Sequence, residues 1–281
     1  TFSNNIKNND FSIIKSQNVI ISGEILDAEP ILNSLYKKKK RKTFDKNFKG
    51  QIEAKINKAL TGTDDNISNL VMIASIKNGS YEKLDLKGDF SKNEIIEMSI
   101  NQINNEKKVL HVISDRAKPF VKNFKFIKGF EGGKLNYESE ISKKSSEANL
   151  IITNFKVSKV PVLAQLLTLA SLQGIANTLS GEGIDFETYE MKFNTKDNIL
   201  NIEEAYASGP AVSILLDGYI DKGKTVSLRG TLVPAAWLNS IINKIPIVGK
   251  ILVGEKSGEG VVGVSFKMKG PPKNIKTTVN P

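Results

Sequence analysis

Period-two alternation recurs along this chain and fixes the kind of fold it can form. Ile52, Ala54 and Ile56 alternate with Glu53 and Lys55, and Leu84, Leu86, Gly88 and Phe90 alternate with Lys83, Asp85, Lys87 and Asp89. The pattern returns at Ile96, Met98 and Ile100, at Leu110 and Val112, at Tyr189, Met191 and Phe193, at Leu200 and Ile202, and at Val212, Ile214, Leu216 and Ile220. Successive side chains on a strand point to opposite faces, so each stretch predicts a strand with one apolar and one wet face. The Asn78-Gly79 and Asn104-Asn105 pairs join neighbours as hairpins. The expectation is a mainly β, antiparallel meander.

Two stretches carry the letters of phosphate-binding loops. Gly218 to Thr225, GYIDKGKT, has P-loop spacing, but its interior holds no glycine and places Asp221 where phosphate would sit. Val226, Leu228, Gly230 and Leu232 alternate after it, so a strand follows where the motif needs a helix N-terminus. The stretch reads as strand, turn, strand. GEGVVG, Gly258 to Gly263, fits the dinucleotide pattern but leads into another strand, with Val262, Val264, Phe266 and Met268 on one face.

Catalytic constellations are equally sparse. The sequence has no cysteine, which excludes disulfides, thiol catalysis and zinc-thiolate sites, and its single histidine, His111, alternates away from Leu110 and Val112 onto the wet face. Asp and Glu show no recurring spaced pair for acid–base work. Neither an enzyme, a metal site nor a cofactor is expected. The net charge of +10 comes almost entirely from lysine, with arginine only at 41, 116 and 229. Nucleic-acid readers favour arginine forks interleaved with aromatics, so no nucleic-acid partner is expected; the charge points to no particular partner, although it would not repel an anionic membrane surface.

Four helical segments interrupt the strands. Asp27 is placed to cap a helix with Pro30 in its first turn, through Ile31, Leu32 and Leu35 to the basic run Lys37 to Lys42, which reads as a solvated loop. Asp115 similarly precedes a helix with Phe120, Val121 and Phe124, in the capping place that Asp27 takes. Residues 160–181 carry Leu163, Leu166 and Leu167; residues 233–254 carry Trp237, Leu238, Ile241 and Ile242 before Pro246. Both are amphipathic and neither is a convincing membrane span, so they plug the ends of the sheet or touch a bilayer surface. The chain opens on Thr1 rather than Met, as expected of a piece of a longer protein.

A long sheet with one apolar face needs a cover, because apolar area left in water costs roughly 25 cal/mol per Å². Four short helices are too few. A sandwich, a closed barrel, or a trough occupied by an apolar ligand would each solve this. Here an ordered set of phrases resembles the AsmA-like proteins of bacterial envelopes, the group of AsmA, TamB and YhdP. GFEGGKLNYESEIS (129–142) is similar to the family's Gly-Gly strand. The helix VPVLAQLLTLASLQGIANTLSG (160–181) follows, then VPAAWLN, IPIVGKIL, a Gly-rich turn, a strand and a terminal VNP. ISGEILDAEPILNSL near the start is a weaker echo.

The resemblance implies a repeating, taco-like β-groove, a long curved antiparallel sheet with a few short amphipathic helices. Residues 1–114 would form a groove segment with a short helix and basic loop, and residues 115–281 the AsmA-like C-terminal region with helices 160–181 and 233–254. It further implies phospholipid transport across the periplasm in support of outer-membrane lipid homeostasis, with an inner-membrane anchor outside this chain and partners among phospholipids, the two membrane surfaces and envelope proteins. The lipid-binding candidates are the inward strand positions Leu84, Leu86, Phe90, Ile96, Met98, Ile100, Met191, Phe193, Ile214, Leu216, Val226, Leu228, Val264 and Phe266. The main alternative is an outer-membrane biogenesis scaffold that binds β-rich clients by edge-strand pairing. A closed-barrel carrier of one small apolar ligand, and more remotely a hydrolase, complete the set.

Overall fold

A computed structural model describes residues 2–3, 6–35, 47–122, 127, 129–221, 223–235, 263–272 and 274–280. In chain order the elements are β1 (Phe2–Ser3), β2 (Ile6–Lys7), β3 (Asp10–Lys15), β4 (Val19–Asp27), α1 (Glu29–Leu35), β5 (Gly50–Leu60), β6 (Ile67–Lys77), β7 (Ser80–Ser91), β8 (Glu94–Gln102) and β9 (Lys108–Ser114). There follow α2 (Lys118–Val121), β10 (Gly129–Ile141), β11 (Ser145–Ser158), α3 (Pro161–Leu169), α4 (Gln173–Ser180), β12 (Ile184–Lys196), β13 (Ile199–Ser208), β14 (Val212–Asp221), β15 (Thr225–Pro234), β16 (Val264–Gly270) and β17 (Lys276–Asn280). β1 and β2 pair only with each other. The other fifteen strands form one open sheet in strict sequence order, from β3 to β17.

That order follows from short hairpins. Asn78 and Gly79 both take positive φ, 53° and 68°, as the tight turn between β6 and β7 requires. GYIDKGKT is the β14–β15 hairpin, in which Asp221 pairs with Thr225 and the Lys224 amide donates to the Asp221 carbonyl at 3.0 Å. One junction departs from the expected antiparallel order. β4 and β5 run parallel, Val19 beside Ile52 and Asp27 beside Leu60, because the segment containing α1 carries the chain back to the start of the next strand. The Asp27 carboxylate accepts the Glu29 amide at 3.1 Å, in line with its predicted capping role.

The sheet divides into two compact units. Unit 1 comprises residues 1–125 and 132–143, and unit 2 residues 126–131 and 144–281. The expected boundary between 114 and 115 falls inside unit 1. The division instead crosses β10 beside Gly132 and Gly133, whose φ values of 69° and 84° lie in the left-handed region that glycine adopts freely.

In unit 1 the register aligns Ile21, Ala54, Met72, Leu86, Met98, Val112 and Tyr137 in one inward row across β4 to β10. A second row aligns Val19, Ile52, Ala74, Leu84, Ile100, Leu110 and Ser139. Strict alternation breaks near Asn69, whose φ of 51° lets Ile67 and Leu70, and opposite them Ala59 and Ile56, share the buried face. Phe120 of α2 joins Leu26 and Ala28 against that cluster. Ion pairs hold α2 there: Lys122 to Glu29 at 2.6 Å and Lys118 to Asp64 at 3.0 Å.

In unit 2 two inward rows cross β11 to β17 and a third, from Ile152 to Val264, ends on β16. The middle row runs Leu150, Met191, Ala205, Leu216, Gly230, Phe266 and Val279. A flat sheet would put β17 about 29 Å from β11, about twice the length of the α3 helix, which is on the order of 13 Å. Yet α3, which follows β11 after two residues, packs against β17, while α4 packs against β11 and β12. The strands of unit 2 therefore curl into a trough whose end the α3–α4 pair crosses. Leu166, Leu167, Ala176 and Leu179 are buried there.

The helical expectations need three corrections. The 160–181 helix is two helices, because Ser171 takes a φ of 60° and turns the chain between them. Val233 and Pro234 belong to β15, where Pro234 pairs with Val212, so no helix begins at 233. Asp115 does not cap α2; its carboxylate accepts the Ile95 amide at 2.9 Å and the Lys134 ammonium at 2.8 Å. Lys37 to Lys42, Phe124, Trp237, Leu238, Ile241, Ile242 and residues 258–262 lie outside the described residues.

Candidate functional site, two apolar troughs

The inward faces of the two units are buried at their capped ends and open between them. In unit 1, Ile56 and Ala59 are fully buried beside α2, and Ile52, Ala74, Ile76 and Leu84 form a second buried cluster with Phe48 and Tyr81 against it. Between the clusters Ile21, Met72, Leu86 and Met98 are only half-buried. In unit 2, Val226, Leu232, Val264, Phe266 and Met268 are buried, whereas Leu150, Met191, Phe193, Ile214, Leu216 and Leu228 are half-buried. A continuous core would bury all of these. Incompletely buried apolar residues in mid-row, beside buried Ala54, Val112, Ala205 and Phe266, leave surface that a further apolar body can cover.

The predicted lipid-facing residues divide accordingly. Leu84, Ile96, Val226, Val264 and Phe266 are buried. Leu86, Phe90, Met98, Ile100, Met191, Phe193, Ile214, Leu216 and Leu228 are half-buried. Phe90 packs on the end cluster with Phe120 rather than in mid-trough, because the β7–β8 register shifts between Asp89 and Ser91. Leu163 is half-buried, while Leu166 and Leu167 are buried against the trough end. Among the inward residues that escaped sequence reasoning are Met72, Ala74 and Ile76 on β6, and Leu150 and Ile152 on β11. Their strands carry apolar residues on both faces, Val71 and Ile73 being 42% and 55% exposed on the other side of β6, so no alternation marks them.

Charged groups occupy the outward face of the sheet and the end of unit 1 beside α2. His111 points to the wet face, its Nδ1 3.7 Å from Glu138, and Lys87–Glu97 and Arg229–Asp217 pair at 2.7 and 2.9 Å on the outward sides. At the capped end of unit 1, the Lys122 hydrogen bond holds the Glu29 carboxyl below its usual range, and the Arg116 hydrogen bond does the same for Glu94. Lys108, which donates to Ser80 Oγ at 2.6 Å and to the Tyr81 carbonyl, has its pKa lowered by burial. Inside the unit 2 trough stands Tyr189, opposite Ile152 on one side and Ala207 on the other. Its hydroxyl donates to Met191 Sδ at 3.2 Å, and burial pushes its pKa up to about 12.

Among the described residues there is no cluster of His, Asp and Glu able to hold a metal ion, and no helix long and apolar enough to cross a membrane. What fold and faces define is a class, an open-sheet β protein with apolar troughs. No known protein family, curated protein or solved structure matches the chain.

Proposed function

We propose that this chain carries phospholipids between the membranes of a bacterial envelope, acyl chains lying in the apolar troughs and headgroups staying in water at the open side. The observation that carries the reading is the incomplete burial of the mid-trough residues, Met72, Leu86 and Met98 in unit 1 and Met191, Leu216 and Leu228 in unit 2, beside buried clusters. Moving a methylene from hydrocarbon to water costs about 0.8 kcal/mol, so a diacyl lipid crossing water unaided faces a barrier on the order of 20 kcal/mol. An apolar bed removes most of that barrier without a catalyst, a cofactor or a metal. The lipid moves by passive sliding, with direction supplied elsewhere.

The resemblance to AsmA-like proteins supports a periplasmic location, inner-membrane attachment through a segment outside this chain, and a role in outer-membrane lipid homeostasis. The lysine-rich surface suits anionic headgroups. The test is lipid extraction and native mass spectrometry of protein purified without detergent. More than one phospholipid per chain is expected, with loss of lipid from the Leu86→Glu, Leu216→Glu double variant. A folded, lipid-free wild type overturns the proposal and favours a scaffold that pairs clients on the sheet's edges.

A further inference from the structure

Tyr189 places a polar group among apolar neighbours in the unit 2 trough. Its inward neighbours are Met191 two residues along β12, Ile152 on β11 and Ala207 on β13, none of which offers a side-chain oxygen or nitrogen. The hydroxyl proton goes to the Met191 thioether at 3.2 Å. Sulfur is a weak acceptor, so the donor remains available to a better one. The pKa of about 12 keeps the phenol protonated, and therefore a donor, throughout the physiological range. Ala205 and Ala207, the residues opposite Met191 and Tyr189, are small, so no bulky β13 side chain stands across from the hydroxyl.

We propose that Tyr189 is a specificity-determining residue of the trough, donating its hydroxyl hydrogen to the carbonyl oxygen of an esterified acyl chain and displacing the thioether contact. The inference rests on the lipid-carrier reading and narrows it: the trough selects acyl esters over bare hydrocarbon of equal length. An ionised fatty acid is disfavoured at this point, because none of these inward neighbours carries a cation to compensate a desolvated carboxylate. The tyrosine also fixes where along the trough the ester sits. Beyond it, toward Leu216 and Leu228, only the hydrocarbon tail finds complementary surface.

The test compares methyl palmitate with n-heptadecane, each delivered from cyclodextrin to the full chain and to Tyr189→Phe, by displacement of a bound fluorescent alkyl probe. One hydrogen bond exchanged for a weaker one changes affinity by about three- to tenfold. The ester-over-alkane preference should fall by that factor in Tyr189→Phe while alkane binding is unchanged. An unchanged preference overturns the assignment and leaves the trough reading standing. Failure of either probe to bind the wild type overturns the trough reading, and this inference with it. A second measurement needs no variant: the infrared carbonyl stretch of bound, carbonyl-labelled methyl palmitate should lie at the hydrogen-bonded frequency. A free-carbonyl frequency overturns the contact.

Discussion

Leu84 and Leu86 stand two residues apart on β7 and face the same way, yet the trough reading gives them opposite duties. Leu84 is 4% exposed, between Ala74 and Ile100, inside the cluster of Ile52, Ala74 and Ile76. Truncating it to Ala opens a cavity and costs about 3 kcal/mol, within the range for buried leucines. Leu86, between Met72 and Met98, is only half-buried, so part of its surface already lies in water and Leu86→Ala costs about 1 kcal/mol. With a urea slope of about 2 kcal/mol per molar, the delipidated variants should lose about 1.5 M and about 0.5 M of midpoint respectively. Lipid occupancy should rank the other way. Leu86→Ala should bind less phospholipid than wild type, and folded Leu84→Ala should bind nearly as much. If Leu86→Ala destabilises the lipid-free protein as much as Leu84→Ala does, protein already fills the middle of the face and the argument for a ligand bed fails.

Three further outcomes follow from the geometry. Glu29, Glu94 and Asp115 are held below their ordinary pKa, the last chiefly by the Ile95 amide, so the unfolded chain takes up protons first. Their stabilisation is complete above the ordinary carboxylate values of about 4 and disappears as pH falls below them, so acid titration by circular dichroism should show falling stability and Lys122→Ala should blunt it. Stability that rises on acidification would contradict the ion-pair assignment. Gly230→Ala should lower thermal stability by about 1–3 kcal/mol, since a Cβ there meets the Leu215 carbonyl at 2.2 Å and Phe266 at 2.6 Å. Gly174→Ala, in α4 with nothing within 4 Å, should raise it by about 0.5–1 kcal/mol, both read by calorimetry. Leu167→Ala, fully buried on α3, should cost about 3 kcal/mol and increase proteolysis at the α3–α4 turn, as limited digestion would show.

Much of this fold was legible because a half-buried strand writes its geometry into alternation. β5, β7, β8, β12, β14 and β15 all alternate, and the Asn78-Gly79 turn requires the positive φ that its residues adopt cheaply. β6 and β11 were not legible, because runs such as LVMIASI and NLIIT are apolar on both faces and carry no period. The parallel β4–β5 pair was hidden as well, since strand direction depends on where the intervening segment returns the chain and not on the strands' own composition. The site was legible only as a set of inward positions. Burial then divided that set in ways no local pattern predicts: Leu84 and Leu86 have the same residue type and face, and differ only in what stands above them. Tyr189 was visible as a strand residue, but its isolation among apolar neighbours depends on the register of β11 and β13.

The interruptions of alternation explain how one sheet can be packed at its ends and open between them. Near Asn69 and across Ile202 and Ala205, two residues pass before the apolar face resumes, so side chains three apart in sequence point inward together. Each such step rotates the strand and brings extra apolar area to one place, as bulges do. In unit 1 the step on β5 and β6 gathers Ile56, Ala59, Ile67 and Leu70 beneath Phe120, and Gly88 has no side chain there to hold Ile67 and Ile96 apart. A strictly alternating strand would send Ala59 and Ile67 to the wet side and leave α2 without a platform. Where Met72, Leu86 and Met98 follow one another across the strands in unshifted register, they pack on the buried cluster beside them and stay only half-buried. Ion pairs on the reverse face, Lys87 with Glu97 and Arg229 with Asp217, stand among separate exposed apolar residues such as Val71 and Ile73, whereas the clustered apolar rows lie on the inward side.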